Sequence, residues 1–183
     1  KDSVKKRLPW LLLLLVLGLV VSSVVSIFEG VVQQITLVVA FQSLILDMAG
    51  NVGTQSLAVT IRVIMDEALS KKDEHKLIFK EMRVGFTNGM ILGMLAFVAI
   101  GVYILVFKGK SVPFSFSVSG CIGISLLFAM VVSSLVGTVV PLFFKKINID
   151  PAVASGPLIT TVNDLVAVVS YYGIVWILLI NIL

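Results

Sequence analysis

Charge is scarce in this sequence. Only 13% of its 183 residues are Asp, Glu, Lys or Arg, while 58% are hydrophobic and the mean hydropathy is +1.12. That balance is far from a water-soluble composition and excludes a soluble enzyme. Cys121 is the single cysteine, so no intrachain disulfide can form and the spacing of a thiolate metal site is missing; it reads as a small core residue. His75 is the single histidine and falls in a charged segment, which predicts a solvated surface position rather than catalysis. Position 1 is Lys and not Met, which leads one to expect an excised or processed fragment.

What the chain has instead is long apolar runs. Residues 8–28, 84–107 and 111–144 carry no charge, and 30–61 and 151–183 are each interrupted by one Asp. Each run is long enough to cross a bilayer core, which takes about 20 apolar residues. They predict an all-α polytopic membrane protein with five spans near 8–28, 31–64, 84–107, 114–145 and 152–182, forming one transmembrane domain over residues 1–183. A pI near 9.3 would point to nucleic acid in a soluble chain. Here the basic residues lie only at span ends. Lys1, Lys5, Lys6, Arg7, Arg62, Lys71, Lys72, Lys76, Lys80, Arg83, Lys145 and Lys146 fall on one side, against Lys108 and Lys110 on the other. This positive-inside bias predicts a cytoplasmic N-terminus and an external C-terminus. Membrane lipids, not nucleic acid, are the expected surroundings. Span one is no signal peptide, because it lacks a small-residue cleavage pattern and four spans follow.

Small residues suggest where helices meet. Gly18, Ser22, Ser26 and Gly30 recur every four residues in span one, and Gly85, Gly89 and Gly93 do so in span three; both stripes read as close-packing seams. Between spans two and three, residues 66–83 alternate opposite charges at helical spacing, which predicts a short solvated connecting helix. Lys108-Gly109-Lys110 and Ile147-Asn148-Ile149-Asp150-Pro151 read as tight turns, with Pro151 opening the fifth helix.

Spans two and five are unlike the rest in being polar at membrane depth. Span two carries Gln42, Ser43, Asp47, Asn51, Thr54, Gln55 and Ser56, and span five carries Gly156, Pro157, Thr160, Thr161, Asn163 and Asp164. Unsatisfied polar groups in hydrocarbon cost several kcal/mol each, so such faces must turn toward protein or water. Glu29 sits at a span end within reach of water. Asp47 lies about 20 Å along span two from Gln34, and Asp164 about 18 Å along span five from Ala152, at about 1.5 Å per residue. Both fall near the middle of a core about 30 Å thick, and no Lys or Arg lies at that depth. An intramembrane carboxylate without a basic partner is a functional candidate, protonated, hydrated or bound to a cation. Its neighbours are hard oxygen donors, the hydroxyls, amides and carbonyls of span two and span five, with no thiolate or imidazole among them. These favour hard divalent cations; a path for Mg²⁺, which dehydrates reluctantly, would hold the ion largely hydrated. Pro157 frees a carbonyl one turn earlier, near Val153. Five spans with two polar helices supply half of a pore wall, so a symmetric homodimer is expected to close it, each Asp164 facing its mate.

Several separated stretches in order resemble one family. Leu8-Pro9-Trp10-Leu11-Leu12, Ala49-Gly50-Asn51-Val52-Gly53-Thr54-Gln55-Ser56 with Arg62, Lys80-Glu81-Met82, and Asp150-Pro151-Ala152 through Pro157 to Asp164 are similar to the transmembrane domain of the MgtE family of magnesium channels, over nearly the whole chain. The resemblance implies a homodimer of five-helix subunits in the bacterial cytoplasmic (inner) membrane, with the ion path between subunits lined by the second and fifth helices. It implies that Asp164 is the central Mg²⁺-binding carboxylate, that carbonyls near Thr160 line the path, and that Asn51 stands near a cytoplasmic constriction. Asp47, Asn163, Gly50, Thr54, Gln55, Gly156, Pro157 and Thr161 complete the candidate metal and gate residues. It further implies that cytosolic regulatory domains, an N-terminal helical domain and paired CBS modules, are missing from this chain. The chain has Ala49 where the family has Gly, Gly156 where it has Asn, Asp47 where it has a small uncharged residue and Ser43 where it has Pro. A second carboxylate ring would admit Ca²⁺ or Mn²⁺ besides Mg²⁺.

Two rivals stand beside the channel reading. A proton- or sodium-coupled secondary transporter would use Asp164 and Asp47 as its coupling pair, although no internal repeat is evident. An intramembrane aspartyl protease would share one proton between them, but the flanks Leu46-Asp47 and Asn163-Asp164 lack its Tyr-Asp and Gly-x-Gly-Asp motifs. A lipid-embedded scaffold gives midplane carboxylates no purpose.

Overall fold

The computed structural model describes residues 2–28, 36–66 and 70–179. Among these are five helices, α1 (Asp2–Ile27), α2 (Thr36–Asp66), α3 (Lys71–Phe107), α4 (Val112–Lys146) and α5 (Pro151–Leu179). All five are long and apolar enough to cross a membrane. Glu29, Gly30 and Gln34 lie outside the described residues.

The helices are arranged around α4. It packs against α2, α3 and α5, whereas α2 meets α3 only marginally and, among the described residues, α1 touches α5 alone. Composition explains its central place. Ser115, Ser119, Gly123, Ser125, Ser133, Ser134, Gly137 and Thr138 are all buried on α4, and small side chains let neighbouring backbones come close in a membrane, where packing rather than the hydrophobic effect drives association. The glycine stripe of α3 is such a seam: a methyl group at Gly93 would meet the Gly123 carbonyl oxygen at 2.7 Å, and one at Gly89 the Leu127 side chain at 2.9 Å. Helices α2 and α4 approach just as closely, since a methyl group at Gly137 would strike the Gly53 carbonyl oxygen.

The stripe in span one behaves differently. Nothing lies within 4 Å of a methyl group at Gly18, and Ser22 and Ser26 are exposed. Helix α1 instead turns Val21, Val24, Val25 and Phe28 to the core, with Phe28 stacked on Tyr172 at 5.7 Å. With one neighbouring helix, α1 needs only one apolar ridge, and its small residues have nothing to nest against.

The segment 66–83 also departs from expectation. From Lys71 it is the beginning of α3, one continuous helix of 37 residues. Ser70 caps it, its hydroxyl accepting from the Asp73 N–H at 3.3 Å, and no Gly or Pro lies between Lys71 and Val84 to break it. At about 1.5 Å per residue it runs about 56 Å, so its charged first turns project beyond a core of about 30 Å. Both turns form as expected, Gly109 at φ 61° and Asn148 at φ 58° taking the left-handed conformation.

Candidate functional site

Helices α2 and α5 run antiparallel, and their contacts fix their relative register. Near one end the Tyr171 hydroxyl donates to the Val38 carbonyl at 2.7 Å and the Tyr172 hydroxyl to Gln42 Oε1 at 2.5 Å. Further along, Asn163 packs against Gly53, where a methyl group would collide with the Asn163 amide. These ties rotate the helices so that Asp47 and Asp164 open onto the same cleft of about 290 Å³, with Leu46, Gly50, Asn51, Thr54 and Thr160 as its other walls.

The cleft lies on the outside of the bundle. Asp47, Asn51, Gln55 and Thr160 are exposed and Asp164 half-buried, because α4 packs against other faces of α2 and α5. On α2 the residues 47, 51, 54 and 55 follow a helical i, i+4, i+7, i+8 stripe. Thr54 donates its hydroxyl proton to its own helix, to the Gly50 carbonyl at 3.0 Å and the Asn51 carbonyl at 2.9 Å, leaving its oxygen lone pairs free to accept. Among the described residues neither Asp47 nor Asp164 has an ion-pair or hydrogen-bond partner. At about 10–15 Å³ of cavity volume per water, the cleft has room for the six inner-shell waters of a hydrated divalent ion. No group of three or more His, Cys, Asp or Glu side chains placed to hold a metal ion occurs among the described residues. The donor set is thus two carboxylates with hydroxyl, amide and carbonyl oxygens, suited to a hydrated hard cation.

The remaining candidates separate. Gln55 continues the exposed stripe of α2 but does not line the cleft. Gly156 and Pro157 fall in the first two turns of α5, short of the cleft, and Thr161 is half-buried one position beyond Thr160; the side chain of Pro157 lies outside those described. Asn163 is fully buried and faces α2 at Gly53, one residue and about 100° of helix rotation away from Asp164. Its amide nitrogen and oxygen have no hydrogen-bond partner among the described residues.

One group escaped the sequence reading. Glu81, taken with the solvated charges of 66–83, is buried at 5% exposure. Its carboxylate accepts from the Ser56 hydroxyl at 3.1 Å, its backbone carbonyl accepts from Ser134 at 2.6 Å, and Ser56 and Ser134 are themselves 3.1 Å apart. This cluster ties α2, α3 and α4 together, and Lys145 adds a link to the Ile64 carbonyl at 3.4 Å. The signal was available in the spacing, since Glu81, Gly85 and Gly89 lie on one face at four-residue intervals.

The described residues form a bundle of five helices able to span a membrane, with two carboxylates opening onto one cleft on its outer face. The model of the MgtE family, described as divalent cation transporter, matches residues 42–174. The magnesium transporters MgtE of Bacillus subtilis and Enterococcus faecalis are each 38% identical to the chain, over 92% and 94% of it. That of Thermus thermophilus is 31% identical over 94% of the chain. In each case the match covers 36% of the relative, so the chain spans about a third of their length. The chain belongs to the MgtE family of divalent cation transporters. That family consists of transporters rather than enzymes, which removes the protease reading.

Proposed function

We propose that this chain is the pore-forming part of a magnesium transporter, passing Mg²⁺ in partly or fully hydrated form into the cytoplasm along a path lined by α2 and α5 and closed by a second copy of the chain. The observation that carries the reading is the outward-facing acidic cleft. Two carboxylates without basic partners, set among hydroxyl and amide groups on a face no other helix covers, cannot rest against lipid tails, where each polar group would cost several kcal/mol. Water, a cation and a two-fold related copy of the same face satisfy all of them together. Asp164 is the central ligand, Asp47 the second carboxylate, and Thr160, Asn51 and Thr54 supply neutral oxygens that replace part of a hydration shell. Asn51 and Gly50 form the constriction on the cytoplasmic side. The basic ends of the helices orient the N-terminus to the cytoplasm of a bacterial inner membrane. Magnesium is taken from the names of the relatives.

The test is Asp164→Asn in proteoliposomes with an entrapped Mg²⁺-sensitive dye. We expect uptake to fall at least tenfold while the elution volume and helical content stay those of the parent. Parental uptake by the variant would overturn the assignment. Uptake abolished by a protonophore in the parent chain would replace the channel by a proton-coupled carrier.

A further inference from the structure

We infer that the basic face of α3, together with the groove it forms with α4, is a binding site for one anionic phospholipid of the surrounding membrane. This site is separate from the cation path, and the inference holds whichever way ions cross. Two observations on the same helix carry it. At the first, Lys72, Lys76, Lys80 and Arg83 line a surface recess with Phe79 and Val84. All six are exposed. Lys76 shares its charge with Asp73 at 3.2 Å, whereas Lys72, Lys80 and Arg83 make no ion pair among the described residues. The acidic neighbours do not cancel them: Asp73 is taken by Lys76 and Ser70, Glu74 does not line the recess, and the Glu81 carboxylate is turned away to Ser56.

The second observation is a groove of about 490 Å³ between α3 and α4, with glycines and apolar side chains as its only walls, among them Gly93, Met94, Phe97, Gly120 and Leu127. The close approach of Gly93 to Gly123 sets its floor. Positions 76, 80, 83, 87, 90, 94 and 97 fall along one stripe of α3 at helical spacing, so the recess leads into the groove. The apolar part of α3 begins at Val84, which puts Lys80 and Arg83 at headgroup level. From Arg83 to Phe97 the helix rises about 21 Å, against about 15 Å for one leaflet of a core about 30 Å thick. A phosphate beside Lys80 and Arg83 therefore lets one acyl tail run the length of the groove. Cationic side chains at the membrane surface favour anionic headgroups by about 1 kcal/mol each. A second copy of the chain fits this face poorly, because a two-fold contact would set the cations of one copy against those of the other.

The test follows the thermal midpoint of delipidated protein in neutral detergent. We expect phosphatidylglycerol to raise it by several degrees and phosphatidylcholine or free glycerol phosphate to leave it nearly unchanged. The surface pair Lys80→Gln with Arg83→Gln should remove at least half of the rise. Gly120→Leu fills the groove without a backbone clash, since the nearest atom to a methyl group there is on Phe97 at 3.7 Å; it should remove a similar share and leave the lipid-free midpoint in place. Equal rises with both lipids, a full rise with glycerol phosphate, or an undiminished rise in the charge variant would each overturn the inference. So would efficient disulfide cross-linking of two copies through Phe79→Cys, which would assign the face to a subunit contact.

Discussion

A carboxylate inside a bilayer-spanning helix is tolerated only in suitable company, and Asp47 and Asp164 share one cleft with Asn51, Thr54 and Thr160. Their roles need not be equal. Asp164 is half-buried and Asp47 exposed, so charge at position 164 meets the lower effective dielectric and the stronger interaction with a passing ion. Asp47→Asn is accordingly expected to keep Mg²⁺ uptake within about tenfold of the parent while lowering Ca²⁺ and Mn²⁺ entry more steeply, because one carboxylate fewer reduces the pull on ions that shed water readily. Competition of the three ions in the proteoliposome assay measures this. These aspartates were legible in the sequence because charge without a partner stands out in an apolar run. Glu81 left no trace in composition, because it sits in a run of charges; only its four-residue spacing to Gly85 and Gly89 marked the buried face it shares with them. Asn163 shows the other limit: neighbours in sequence on a helix point about 100° apart, and only the tertiary rotation of α5 decides which of them reaches the cleft.

Among the helices, glycine marks contact only where a second backbone arrives. Gly93 and Gly18 lie in look-alike stripes, yet the first faces the Gly123 carbonyl and the second nothing within 4 Å. Gly93→Ala should therefore destabilise the bundle by about 1–3 kcal/mol, because backbone cannot move aside as a side chain can. Gly18→Ala should be neutral or stabilising, through better helix propensity. Thermal unfolding of the two variants in the same detergent compares them, and equal losses would contradict the packing described here. The number of membrane-length helices could be read from hydropathy alone. Which small-residue stripes are seams could not, since the spacing is identical and the difference lies in the neighbour. The continuity of Lys71–Arg83 with the rest of α3 was hidden for a related reason, as charge pattern reports exposure and not where a helix stops.

For the whole molecule, the asymmetry of basic residues sets the expected sidedness. His75→Cys should react with a membrane-impermeant thiol reagent only after the cells are permeabilised, and Lys110→Cys in intact cells. Cys121, buried at 3% exposure, should contribute little background. The reverse pattern would invert the proposed orientation and the direction of the path with it. The arrangement around α4 also bears on how the chain is made. Helices enter the membrane in the order of synthesis, and until α4 is translated α1 has met neither α2 nor α3, and α2 barely touches α3. The first half of the protein must therefore wait in the bilayer, its polar face of α2 shielded only by the insertion machinery or by borrowed water, and assembly becomes worthwhile once the fourth helix emerges. A nascent chain interrupted before that moment has little to hold it together, which makes it a natural target for membrane proteases.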